Sequence, residues 1–248
     1  MELIVLGAGP AYTNRPGATG AAYLVRTTDA AVVLDLGQGS FTRLAGEIDP
    51  SGLDAVFISH LHPDHFIDLV PLRHYLRFEF APPRRVRVLG PARLAERIDA
   101  LHGTPGFSGA SLDCAILDGT PVRIGDLTVE PARVTHTDES YAFRVSTAGG
   151  GPGLVYSGDC GRAADLAPLV RPGDALLSEV SFGAGPVPEG ALHLDGPAVG
   201  RLAAVAGAGR VLLTHLQMGF GETATIESVR ERFAGPVMLV EPGTRLEI

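Results

Sequence analysis

The chain has 248 residues, 45% of them hydrophobic, with a formal net charge of -8 and a mean hydropathy of +0.19. That apolar content excludes a disordered chain and is enough for one large core or two small ones, while the acidic balance is ill suited to tracking a long nucleic-acid backbone. The two cysteines, Cys114 and Cys160, are too few for a disulfide framework and are expected as thiols, and all 20 basic residues are arginine, a compositional bias without functional content. No apolar run approaches the roughly 20 residues that span a bilayer. Because the opening "MELIVLGAG" carries no basic leader or cleavage site, a soluble cytoplasmic protein is expected.

Taken in chain order, β-like runs occur at "LIVLG" (3–7), "AAYLVRT" (21–27), "AVVLDLG" (31–37), "DAVFISH" (54–60) and "RVRVLG" (85–90), and then at "LTVEPARVTH" (127–136) and "YAFRVS" (141–146). They continue with "GLVYSGD" (153–159), "ALLSEVS" (175–181), "RVLLTHL" (210–216) and "PVMLVEP" (236–242). Helical periodicity falls between them at Phe66 to Phe78, Ala92 to Leu101, Pro197 to Ala206 and Ile226 to Phe233. This interleaving predicts an α/β protein whose helices cover its sheets. "TAGGGPG", Thr147 to Gly153, reads as a hairpin turn, and "GAGP" at Gly7 and Gly183 lacks the pattern of a phosphate-cradling loop.

The informative stretch is "SHLHPDHF", Ser59 to Phe66, which begins where a buried strand ends. In an extended segment His60 and His62 point the same way and can grip one metal ion. Pro63 disfavours helix at His62, so the chain turns before Asp64 and His65 and can aim that pair at a second ion. Other strand-like runs end in His136, Asp159 and His215, which is how one sheet edge gathers a site from distant sequence.

The pattern His-x-His-x-Asp-His, followed by a His, an Asp in "SGD" and a His in "LTH", resembles the metallo-β-lactamase superfamily of binuclear hydrolases. The resemblance runs almost end to end and includes "LDLGQG", Leu34 to Gly39, with Asp35 as a buried orienting carboxylate. It implies an αββα sandwich, two mixed β-sheets packed face to face with helices outside, formed by residues 1–248 as a single domain. It also implies one metal held by His60, His62 and His136, another by Asp64, His65 and His215, and Asp159 as the bridge. Two divalent ions are therefore expected, zinc first, with manganese or iron(II) as alternatives.

Within the superfamily, Cys160 neighbours Asp159 without replacing it, and His62 stands where flavin-linked oxygen reductases carry Glu. Glu179 and His193 resemble the leaving-group pair of the tRNA 3'-processing endonucleases and related phosphodiesterases, so Asp64, Glu179 and His193 are the expected catalytic residues. Only 22 residues separate His136 from Asp159, enough for a hairpin and too few for the tRNA-gripping arm. The expected partner is accordingly a small phosphodiester, with nucleic acid disfavoured, no membrane, and a homodimer allowed for; the arrangement "HLDG…LLTH" resembles a cyclic-nucleotide phosphodiesterase group of the superfamily, which implies a 3',5'-cyclic nucleotide as that diester. A tRNA-processing nuclease and a lactone or ester hydrolase are the alternatives. Arg73, His74, Arg77, Ser140 and Tyr141 are weaker candidates for substrate contact, Cys114 is expected in the core, and His102 at a helix end.

Overall fold

Residues 1–248 are described by the computed structural model, which arranges the strands in two seven-stranded sheets. The first contains β1 (Glu2–Gly7), β2 (Ala22–Arg26), β3 (Ala31–Leu34), β4 (Ala55–Phe57), β5 (Val86–Gly90) and β6 (Leu112–Ile116) in sequence order. The second contains β7 (Val122–Ile124), β8 (Leu127–Arg133), β9 (Tyr141–Thr147), β10 (Leu154–Tyr156), β11 (Ala175–Glu179), β12 (Arg210–Thr214) and β13 (Val237–Leu239), again in sequence order. One strand departs from this division, β14 (Arg245–Glu247), which returns to pair antiparallel with β1.

Alternation along the strands builds three apolar layers. In β1, Leu3 and Val5 face the other sheet while Ile4 and Leu6 face helices, and in β12 Leu212 faces inward while Val211 and Leu213 face outward. The middle layer closes with aromatic pairs from opposite sheets, Tyr23 against Tyr156 at 4.8 Å and Phe57 against Phe143 at 5.8 Å between ring centroids. Behind the first sheet lie α1 (Ser40–Glu47), α2 (Pro63–Phe66), α3 (Leu69–Phe78) and α4 (Leu94–His102). Behind the second lie α5 (Ala163–Leu166), α6 (Gly196–Ala206) and α7 (Glu222–Arg230). This is the expected αββα sandwich. No helix is long and apolar enough to cross a membrane.

The strands missing from the sequence-based expectation are β6, β7 and β14. All three are sheet edges, short or largely exposed, so the alternation that marks a half-buried strand is weak in them. Cys114 lies on β6 and is exposed, which corrects the expectation of a core thiol. The turn at Thr147 to Gly153 joins the antiparallel pair β9 and β10 as expected.

Both sheets contain a parallel run, β3 to β6 in the first and β10 to β13 in the second. Asp35 and the segment Ile58 to His60 leave the carboxyl ends of β3 and β4. Asp159, Glu179 and His215 lie at or just beyond the ends of β10, β11 and β12. Polar side chains from both sheets thereby meet along one edge of the sandwich.

Candidate metal centre

His62 is extended, with φ -77° and ψ 138°, and Pro63 opens α2, so the chain turns between His62 and Asp64 as the sequence predicts. The turned segment is held by "DLGQG". The Leu36 amide donates to the His65 carbonyl at 2.7 Å and the Ala21 amide to the Asp64 carbonyl at 3.0 Å. A Cβ on Gly37 would lie 1.8 Å from the Asp64 carbonyl oxygen, so a glycine is required there. Asp35 and His215, both with φ of 57°, are the non-glycine residues with left-handed backbone in the chain. Both belong to the site, where such conformations tend to collect.

Three ring nitrogens converge on one point. His60 Nε2 lies 3.0 Å from His62 Nδ1, and His136 Nε2 lies 3.2 Å from the same atom. Asp159 Oδ2 approaches His60 Nε2 at 3.7 Å and His136 Nε2 at 3.6 Å. A second convergence sets His65 Nε2 3.3 Å from His215 Nε2, with Asp64 Oδ2 3.3 Å from the latter. Asp159 Oδ1 stands 3.4 Å from His65 Nε2 and 3.5 Å from His215 Nε2. Asp159 thus reaches both groups, as a bridging carboxylate must.

Most of these rings are also gripped from behind. The far nitrogen of His60 meets Ser59 Oγ at 3.0 Å, that of His65 meets Asp35 Oδ2 at 2.7 Å, that of His136 donates to the Leu192 carbonyl at 2.8 Å, and that of His215 meets Ser181 Oγ at 3.1 Å. Such partners fix tautomer and orientation and leave the inner nitrogen as a lone pair. Inner lone pairs packed this closely repel one another unless a cation sits among them. Asp159 Oδ1 is buried and accepts no hydrogen bond, an acceptor that the polypeptide leaves unused. The donor set of imidazoles and carboxylates therefore fits a divalent metal ion, with ligand atoms in each group within 4.8 Å of one another.

Charge tells the same story. Burial pushes His60, His62 and His136 below the usual imidazole range, which keeps them neutral and able to ligate. Burial acts the same way on His65 and His215. There it is outweighed by Asp159, with Asp35 at His65 and Asp64 at His215, and both rings are raised. The side of the cluster that holds His65 and His215 demands positive charge.

Glu179 and His193 form the expected pair, with His193 Nδ1 3.0 Å from Glu179 Oε1 and 3.9 Å from Asp159 Oδ2. Glu179 also accepts from the amides of Cys160 at 2.8 Å and Ser181 at 3.1 Å, so it is rigidly held. Burial lowers the His193 imidazole, but the hydrogen bond to Glu179 outweighs this and raises it. The cap of α6 is Asp195, whose carboxylate accepts from the Ala198 amide at 2.9 Å, so His193 is free of that structural duty. Burial pushes the Cys160 thiol up to about 12, and its Sγ donates to the Arg162 carbonyl.

The weaker candidates lie elsewhere. Arg73 donates to the Phe107 carbonyl at 2.9 Å and stacks on that ring, His74 and His102 pack around the same ring, and Arg77 lies over Phe78. His102 does end α4, as expected, but as part of this aromatic cluster. Tyr141 belongs to the middle core and donates to the Leu117 carbonyl, and Ser140 is buried against Thr137. Three residues escaped the sequence. Ser181 Oγ sits within 3.2 Å of both His193 and His215, and Tyr12 and Gln217 line the cavity above the cluster. Hydroxyl, phenol and amide carry no ligand signature in a sequence, and only the fold brings them here.

That cavity, of about 310 Å³, is floored by Asp64, Asp159, His193 and His215. A second cavity of similar size lies on the other side of His62 and carries Arg93, Arg97, Asp138 and Glu139.

Comparison with known proteins places this geometry among relatives. Residues 31–216 match the family profile described as the Beta-lactamase superfamily domain. The protein ML1173 of Mycobacterium leprae is 33% identical over an alignment that takes in 100% of this chain and 89% of its own. The crystal structure of the metallo-beta-lactamase fold protein YhfI from Bacillus subtilis has a TM-score of 0.87 at 25% identity and covers 99% of each chain. Ribonuclease Z of Mycobacterium bovis is 28% identical over 73% of this chain and 70% of its own.

Proposed function

Since this chain belongs to the metallo-β-lactamase superfamily and is a metallohydrolase of that fold, we propose that it holds two divalent ions and cleaves a small phosphodiester, a 3',5'-cyclic nucleotide above all. The observation that carries the reading is the Glu179–His193 pair, 3.0 Å apart and beside Asp159 yet surplus to the two ligand groups. A thioester or aryl ester, whose leaving group departs easily, has little use for such a pair; an alkoxide leaving a phosphodiester does.

In this proposal His60, His62 and His136 hold one ion, Asp64, His65 and His215 the other, and Asp159 joins them. Zinc is the first choice, with manganese or iron(II) as alternatives. Bound there, the ions supply Lewis acidity toward phosphoryl oxygens and lower the pKa of a water molecule to near neutrality. The chain's own residues do the rest. Asp64 orients the attacking water, His193 donates a proton to the departing sugar oxygen, and Glu179 fixes the imidazole and favours its charged form. Against Asp64, Asp159 and one hydroxide, two divalent ions leave a formal charge of about +1, which suits an anionic diester.

Substrate size follows from the segment between His136 and Asp159, which contributes β9, a tight turn and β10 and nothing that projects as an arm. Relatives named ribonuclease Z keep RNA processing as the second reading. The test is turnover by metal-replete protein of cyclic nucleotides, precursor tRNA, a lactone and a carboxylic ester. A higher kcat/KM for the cyclic nucleotide is expected. Efficient, site-specific trimming of the tRNA would promote the second reading, and turnover of the lactone or ester alone would remove the phosphodiester.

A further inference from the structure

We propose that the ring of Tyr12 is the platform on which the substrate's nucleobase stacks, and that the enzyme therefore favours purine over pyrimidine cyclic nucleotides. This rests on the phosphodiesterase reading and adds to it the residue that selects the base.

Tyr12 is 69% exposed, packs against no other ring, and lines the same cavity as Asp64, Asp159, His193 and His215. An aromatic ring left bare beside a charged cluster offers a flat apolar face where the rest of the floor is polar. Its position is built in. The Ala8 carbonyl accepts from the His215 amide at 2.9 Å, Gly9 bridges to Gly20, and the Pro10 carbonyl accepts from Gln38 Nε2 at 3.4 Å. The loop thus leaves β1 pinned to the strand end that carries His215, and Tyr12 follows two residues after the last anchor.

The surroundings agree. Pro10 and Ala11 line the same cavity beside Tyr12, so the apolar part of its wall lies next to the ring. The Gln217 amide lines the same space and offers both donor and acceptor to the edge of a base. The cavity beyond His62 is a poor alternative for a neutral ring, because its walls carry Arg93, Arg97, Asp138 and Glu139. With the diester over the metal ligands, one arm of the substrate faces Tyr12, and the larger π-face of a purine gains more from it.

The test uses full-length, metal-replete protein and three substrates that share one reacting ring: adenosine, cytidine and ribose 3',5'-cyclic phosphate, the last without a base. Wild type should prefer adenosine to cytidine. Tyr12→Ala should lower the kcat/KM ratio of adenosine to ribose substrate on the order of 10-fold, chiefly through KM, the scale of losing one base–aromatic stack. Binding of adenosine 5'-monophosphate, followed by calorimetry, should weaken to a similar degree, and Tyr12→Phe should retain both. An unchanged ratio in Tyr12→Ala with unchanged melting temperature overturns the stacking role and leaves the phosphodiesterase reading intact. A loss as large in Tyr12→Phe also overturns it, because the ring would then be irrelevant. If no cyclic diester is turned over and the monophosphate does not bind wild type, both readings fall together.

Discussion

Nδ1 of His65 lies 2.7 Å from Oδ2 of Asp35, and both side chains are wholly buried. Asp35 also accepts from the Ser59 amide at 2.6 Å, the Ser59 hydroxyl at 2.7 Å and the Tyr156 hydroxyl at 2.7 Å. One carboxylate thereby fixes the metal-facing side of His65 and ties β3, β4 and β10 together.

Replacing Asp35 should separate those two duties. Asp35→Ala leaves buried donors unpaired and places a β-carbon residue without a polar tip at a φ of 57°, so a loss on the order of 3 kcal/mol or more is expected in denaturant unfolding. Asp35→Asn keeps the shape and tolerates that φ. It should fold and bind metal about 10- to 100-fold more weakly, the usual cost of losing a ligand's outer partner. Undiminished metal affinity in Asp35→Asn would remove Asp35 from the site's support.

Ligand loss should cost metal before it costs fold, because the three apolar layers do not depend on the cluster. His62→Ala and Asp159→Ala should lower the metal content of purified protein and abolish turnover while leaving far-ultraviolet circular dichroism unchanged. Normal metal content together with full activity in either variant would sink the ligand assignment.

His193→Ala should keep its metal and slow cleavage of a cyclic nucleotide by roughly 10²- to 10⁴-fold, the range of general acid catalysis. The deficit should shrink for a diester that expels nitrophenolate, since that oxygen needs little protonation. Glu179→Gln should show a milder version of the same pattern. Equal rate losses for good and poor leaving groups, with metals intact, would retire His193 as the acid.

Away from the site, Arg144 grips Asp174 through two nitrogens at 2.8 and 3.0 Å, with both side chains buried. Burial alone would raise the Asp174 carboxyl, but Arg144 and the amides of Gly153 and Arg171 outweigh it and hold it below the ordinary value. A carboxyl lowered in the folded state stabilises the protein above its unfolded pKa, near 3.9, and that contribution disappears as pH falls through the lower folded value. Asp174→Asn should therefore cost about 3–5 kcal/mol at pH 7, with the gap to wild type narrowing below about pH 4. A gap that stays constant down to pH 3 in denaturant titrations would show that the pair is not what stabilises this corner.

The metal cluster was legible because its chemistry is concentrated: three histidines and an aspartate in six positions, then one ligand-type residue at the end of each of three apolar runs. Eleven of the strands were legible because their apolar residues are buried on one face or both. Ser181, Tyr12 and Gln217 were not, since each owes its place to a neighbour far away in sequence. Arg73 and Arg77 show the converse case. Both are weaker candidates by residue type, and Phe107 and Phe78 occupy their guanidinium faces.

The order of the strands has a thermodynamic consequence. β1 to β6 make nearly all of one sheet and β7 to β13 all of the other, and the ligands divide in the same way. His60, His62, Asp64 and His65 come from the earlier half of the chain, and His136, Asp159 and His215 from the later. Each ion would thus be shared between the halves, and its binding free energy would act across the seam where they meet. Linkage makes the coupling reciprocal: whatever the ions add to the cohesion of the seam, the seam returns as affinity for the ions. A cavity opened in the seam itself, where Phe57 meets Phe143, would then be felt at the metal.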